Sequence, residues 1–119
     1  MNYLMIGAIS GCLVVIMGAF GAHALKEILD DYGKSIYNKA VLYHMFHSIA
    51  ILILGLINKI QPEIQLSMAG WSFVFGIILF SGSLYILSIT GIKSLGMITP
   101  IGVILFIIGW IFLILDVTK

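Results

Sequence analysis

Charge is what this chain has least of. Only 9% of its 119 residues are charged, where soluble domains carry roughly 25%. With 61% hydrophobic residues, a soluble fold of this length could not hide so much apolar surface in one core. The net charge of +1 excludes a nucleic-acid-binding surface, which depends on clustered cations. Cysteine is nearly missing too. Cys12 stands alone, so no intramolecular disulfide forms, and it reads as a small buried apolar residue in mid-span. No carboxylate interrupts a long apolar run and no nucleophile motif accompanies a histidine. No internal repeat is present either: Gly70-Trp71-Ser72-Phe73 and Gly109-Trp110-Ile111-Phe112 look alike but fall at opposite ends of their helices. These absences remove the usual marks of an enzyme and of a repeat-built transporter. The expectation is no enzymatic activity and no cofactor.

What is there is apolar and continuous. Residues 3–25, 40–58, 64–92 and 94–115 hold no Asp, Glu, Lys or Arg. A membrane-crossing helix needs about 20 mostly apolar residues, and backbone groups in lipid must be satisfied internally. The runs do not alternate in polarity, which excludes a barrel. The fold class is therefore an all-α membrane protein, an antiparallel bundle of four transmembrane helices. One transmembrane domain accounts for residues 1–119, with spans at about 3–25, 38–58, 66–90 and 99–116. The lipid bilayer is the expected partner, with a homo-oligomer as a further option and no nucleic acid. Ala22-His23-Ala24 resembles a cleavage site, but no Lys or Arg precedes the run, so the first run reads as a retained helix.

Local signals place the ends. Gly33 is expected to break the polar segment that follows span one, and Ser35 to cap the next helix. Pro62 marks a turn, Gly91 a helix stop, and Thr99-Pro100 an N-cap followed by proline in the first turn. Lys26, Lys34, Lys39 and Lys93 lie on the face opposite the termini, against Lys59 and Lys119 on the terminal face. The positive-inside rule then puts loops 26–38 and 91–98 in the cytoplasm and both termini outside. Trp71 and Trp110 read as interfacial aromatics toward the terminal face.

Helix association in lipid relies on close packing at small residues. Gly7, Gly11, Gly18 and Gly21 share one stripe of span one; Gly76 and Gly82 serve span three, and Gly102 and Gly109 span four. These are seams within one bundle or, alternatively, a contact between copies.

The histidines are the candidate site, because ionisable groups inside a membrane are costly. His23 closes span one, and His44 and His47 lie five and eight residues past Lys39, roughly 8–12 Å along a helix. That puts all three in the cytoplasmic leaflet, where Tyr85, Ser88, Thr90 and Thr99 add hydroxyls; Tyr43, Ser81 and Ser83 complete the candidate polar site. His23 lies about 160° from Gly7 around the helix, so it reaches span two only if the glycine stripe faces another helix. Four readings stay open. The histidines hydrogen-bond between helices; or His44 and His47 ligate a metal or haem; or they relay protons or a solute in an oligomeric channel or transporter; or they assist Ser81 or Ser83 in catalysis.

The ordered blocks Gly18-Ala19-Phe20-Gly21-Ala22-His23-Ala24-Leu25, Met45-Phe46-His47, Ala69-Gly70-Trp71, Leu79-Phe80-Ser81-Gly82-Ser83-Leu84-Tyr85 and Ile98-Thr99-Pro100-Ile101-Gly102 cover nearly the whole chain. On these the chain resembles the YgdD/YwdK-like family of small bacterial inner-membrane proteins, a domain of unknown function. The resemblance implies four passes through the bacterial plasma membrane, no established activity, His23 and His47 within family-like motifs, and glutamine where this chain has His44. The functional expectation is a structural or membrane-homeostasis role.

Overall fold

The uncharged runs become helices, and the structure, a computed structural model, describes all residues from 1 to 119. Helix α1 spans Tyr3–His23 and α2 spans Asp31–Ile60. Helix α3 runs over Ser67–Thr90 with a π-helical turn at Ile77–Ser81. After a 3₁₀ turn at Lys93–Met97, α4 spans Thr99–Val117. All four spans are long and apolar enough to cross a membrane. There are no strands.

Burial identifies the middle of the arrangement. The most apolar stretches of α2 and α3 are 44% buried, against 17% for those of α1 and α4. Helix α1 packs along α2, α2 along α3, and α3 along α4. The pairings are antiparallel. Gly7 faces Leu52 and Gly21 faces Tyr37 across α1 and α2, while Gly55 faces Leu4. Between α3 and α4 the meetings are Gly76 with Phe106, Gly102 with Phe80 and Gly109 with Phe73. In each pair one helix supplies the missing side chain that lets the other insert a large one, which is how helices close up in lipid.

Not every expected seam is used. Nothing lies within 4 Å of a Cβ built on Gly11 or Gly82, so neither glycine seats a side chain of a neighbouring helix. Gly18 makes only ordinary contact, with Val41 Cγ1 at 3.8 Å. Cys12 is exposed, facing lipid rather than the interior, because the α1 glycines on the opposite side hold the contact with α2.

Several helix ends also differ from the local signals. Helix α2 begins at Asp31, capped by the Asp30 carboxylate, which accepts from the Gly33 amide at 2.6 Å. Gly33 is thus inside the helix and buried. There its bare Cα lets α2 approach the Ser88 carbonyl, 3.3 Å from where a Cβ would stand. Ser35 caps nothing. The acidic cap one turn earlier also suits the positive end of the helix dipole. Thr99 is the first residue of α4, not its cap, and its hydroxyl is drawn to Ser83 at 2.7 Å. Pro100 sits in the first turn, and Gly91 ends α3 in the left-handed region at φ 71°, as the residues suggest.

Adding a methyl at Gly102 drives it into the Phe80 backbone, which cannot rotate away. Gly102→Ala is therefore expected to destabilise the protein by about 1–3 kcal/mol, the usual cost of overpacking. Gly11→Ala should leave stability unchanged or slightly higher, since alanine is the better helix former. Thermal midpoints in detergent check this; equal midpoints for the two variants would rule out the α3–α4 register described.

Candidate functional site

Position on α2 decides what the site can be. The helix runs Asp31–Ile60, so its centre falls between Met45 and Phe46, with His44 and His47 on either side. Both are buried, at 5% and 2% exposure. They stand about 60° apart around α2, and each has both ring nitrogens engaged.

His44 joins three helices. Its Nε2 is 3.1 Å from Ser10 Oγ on α1, and its Nδ1 is 2.9 Å from the Tyr85 hydroxyl on α3. Ser10 Oγ is 2.6 Å from Ser48 Oγ, and the Ser48 hydroxyl donates to the His44 carbonyl at 2.7 Å. A hydroxyl has one proton to donate, so the directions are determined. Ser48 gives its proton to the carbonyl and must accept from Ser10. Ser10 must then accept from His44 Nε2–H. The Tyr85 hydroxyl has no other acceptor and donates to Nδ1. His44 is the neutral tautomer protonated at Nε2, and the chain of bonds closes on His44's own carbonyl.

His47 is held the opposite way. Its Nδ1 donates to the Tyr43 carbonyl at 2.9 Å, since a carbonyl only accepts. Its Nε2 therefore carries a lone pair, which accepts from the Trp110 indole N–H at 3.0 Å. The ring stacks on Phe106 with centroids 3.6 Å apart and planes at 8°. Phe73 and Phe46 tilt against it at 5.4 and 5.2 Å. His47 thus ties α2 to α4, beside the Tyr43–Phe106 and Phe46–Trp110 ring pairs.

The remaining predicted hydroxyls stand near this pair without joining it. Ser81, in the π turn, donates to the Ala40 carbonyl at 2.8 Å. Ser83 donates to the Phe80 carbonyl at 2.9 Å and meets Thr99. Tyr43 lends its carbonyl to His47, and its ring lies against Phe80, 4.6 Å between centroids. Neither Ser81 nor Ser83 touches a histidine; the serine at an imidazole is Ser10, which accepts from His44. His23 stands apart, exposed at the end of α1 without a side-chain hydrogen bond. The α1 glycine stripe faces α2 itself, so a residue about 160° away points outward.

Two partners escape a reading by residue type. Ser10 is a lone hydroxyl in mid-span, and Trp110 resembles an interfacial anchor. Ser48, four residues from His44, had a usable signal, since positions i and i+4 share a helix face. Ser10, Ser48 and Trp110 extend the cluster past the midpoints of α1, α2 and α4 toward the ends nearer the termini. Chemically it holds helices. Each imidazole has its single lone pair occupied, no buried side-chain polar atom lacks a partner, and no group of three His, Cys, Asp or Glu side chains converges.

Comparison with known proteins places the chain in context. Residues 17–103 match the family described as "Protein of unknown function (DUF423)". The chain is 42% identical over 118 residues to the UPF0382 membrane protein YwdK of Bacillus subtilis, covering 98% of this chain and 96% of that one. It is 49% identical over 117 residues to a UPF0382 membrane protein of Staphylococcus aureus, and 45% to one of Staphylococcus epidermidis, covering 98% of this chain and 95% of each relative. No solved structure matches.

The donor assignments make a sharp expectation. Nitrogen-15 spectra of labelled protein in bilayers should show two buried neutral imidazoles of opposite tautomer, the Nε2–H form lost in His44→Gln and the Nδ1–H form lost in His47→Gln. The same tautomer at both sites would overturn the network. A double-mutant cycle between His47→Ala and Trp110→Phe should give a coupling of about 0.6–1.7 kcal/mol, the range for polar contacts between membrane helices.

Proposed function

Because the chain belongs to the DUF423 family of membrane proteins, a family of unknown function, we propose a role that requires no chemistry at the histidines: a non-enzymatic four-pass protein of the bacterial plasma membrane, structural or homeostatic, whose polar core clamps its helices. The observation that carries this reading is the complete engagement of both imidazoles as neutral groups. A metal ligand needs a free lone pair, and His44 Nδ1 and His47 Nε2 spend theirs on Tyr85 and Trp110. A proton wire needs a path that opens at both ends, whereas the Tyr85–His44–Ser10–Ser48 chain returns to the His44 backbone. A serine nucleophile needs a base that takes its proton: Ser81 and Ser83 bond instead to main-chain carbonyls, and Ser10 gives its proton to Ser48 while accepting from His44.

Orientation is part of the proposal. The four lysines of the loop face against two at the termini support cytoplasmic loops and outward termini. In a Cys12→Ala background, a cysteine replacing Lys119 should react with an impermeant maleimide on intact cells, and one replacing Lys34 only after permeabilisation. The opposite pattern inverts the topology.

The clamp itself is tested on purified protein. Substitution of His44 and His47 by alanine should lower thermal stability, while the unaltered protein carries no stoichiometric metal or haem and its proteoliposomes leak protons no faster than empty ones. Stoichiometric metal or haem that vanishes with the double substitution would replace this reading with a cofactor protein. Proton flux abolished by the same change would replace it with a channel.

A further inference from the structure

On the loop face, the end of α1 and the start of α2 border a groove of about 340 Å³. Lys26 and Lys34 line its mouth, with Asn38 beside them and Gly18, Leu29 and Val41 beneath. Three observations bear on what it holds. First, neither lysine has an anionic partner, since the only ion pair joins Lys119 to Asp116; the Asn38 amide likewise makes no hydrogen bond within the protein. Second, no acid of this segment lines the groove. Asp30 caps α2 and lines a separate groove with Lys93 on the far side of α2, and Glu27 and Asp31 are absent from the lysine groove. Third, the groove crosses the edge of the membrane. Lys26 and Lys34 lie outside the uncharged runs 3–25 and 40–58, whereas Gly18 and Val41 lie within them. Lys34 and Val41 are seven residues apart, about 10 Å along α2.

A cationic, hydrogen-bonding mouth above an apolar floor has the polarity of a phospholipid seen end-on. We infer that this groove binds the phosphate of an anionic phospholipid, with Lys26 and Lys34 as its counter-charges, Asn38 as a further donor, and the glycerol and first acyl carbons over Gly18 and Val41. The absence of a side chain at Gly18 keeps that path open. Basic pockets between helices are a recognised mode of anionic headgroup binding, each lysine contributing through proximity to the headgroup charge. The inference is independent of the helix-clamp role, because none of its residues belongs to the histidine cluster.

Delipidated full-length protein titrated with phosphatidylglycerol or phosphatidylcholine, and followed by native mass spectrometry, tests it. The expected result is a preference for phosphatidylglycerol of about tenfold, reduced to about twofold or less in Lys26→Gln/Lys34→Gln and retained in Lys59→Gln/Lys119→Gln. Helical circular dichroism verifies that each variant is folded. Equal affinity for the two lipids, or a preference unmoved by the Lys26 and Lys34 changes, overturns the inference. Displacement of phosphatidylglycerol by millimolar inorganic phosphate also overturns it, in favour of a site for the free anion.

Discussion

Two neutral imidazoles sit where no water can serve them, and the rest of the fold is arranged so that nothing else must. In hydrocarbon an unpaired donor or acceptor costs several kcal/mol, and an imidazole always brings one of each. His44 finds its partners on α1 and α3, and His47 finds its second partner on α4. Each pairing requires backbones close enough for short side chains to meet. Ser10 and Ser48 meet at 2.6 Å, which only closely packed helices permit. The polar requirement therefore sets the distance at which α1 must lie.

The glycines make that distance available. Gly7 and Gly21 of α1 take Leu52 and Tyr37 of α2, and Gly55 of α2 returns the arrangement for Leu4. Tyr37, seated against Gly21, then donates its hydroxyl to the Met17 carbonyl, adding a polar tie to a steric one. On the other side, Gly76, Gly102 and Gly109 seat Phe106, Phe80 and Phe73, and Phe106 is the ring on which His47 stacks. Close packing and hydrogen bonding are here one constraint met twice. Lipid offers helices no hydrophobic drive to associate, so packing and hydrogen bonding carry the association between them.

The four spans were legible because composition dictates them: an apolar run about 20 residues long has one solution in a bilayer. The site was legible in part. His44, His47 and Tyr85 could be singled out because ionisable and hydroxyl groups are conspicuous in such runs. Which hydroxyl meets which imidazole could not, since that depends on helix rotation. The clearest case is His23. Its place at the end of span one suggested the cluster, but the glycine stripe that binds α1 to α2 turns it outward. The π turn at Ile77–Ser81 is a second case. It inserts a residue into the α-helical period, so a fixed 100° step along span three would misplace the faces beyond it. Asp30 is a third: an acid in a charged loop reads as solvated, and only the structure shows its carboxylate capping α2.

His44 also shows why a clamp accounts for this site better than chemistry does. In the network it must donate at one end, to Ser10, and accept at the other, from Tyr85. A neutral imidazole does this, and so does a carboxamide, whose N–H donates and whose oxygen accepts. The glutamine that the family resemblance implies at this position would preserve both bonds while losing a metal ligand and a proton carrier. His47 has no such substitute. Its ring also fills the aromatic cage of Phe46, Phe73, Phe106 and Trp110, and a carboxamide offers neither the stacked face nor the volume. Of the two histidines, one is required for the polarity of its bonds and the other for the ring that carries them.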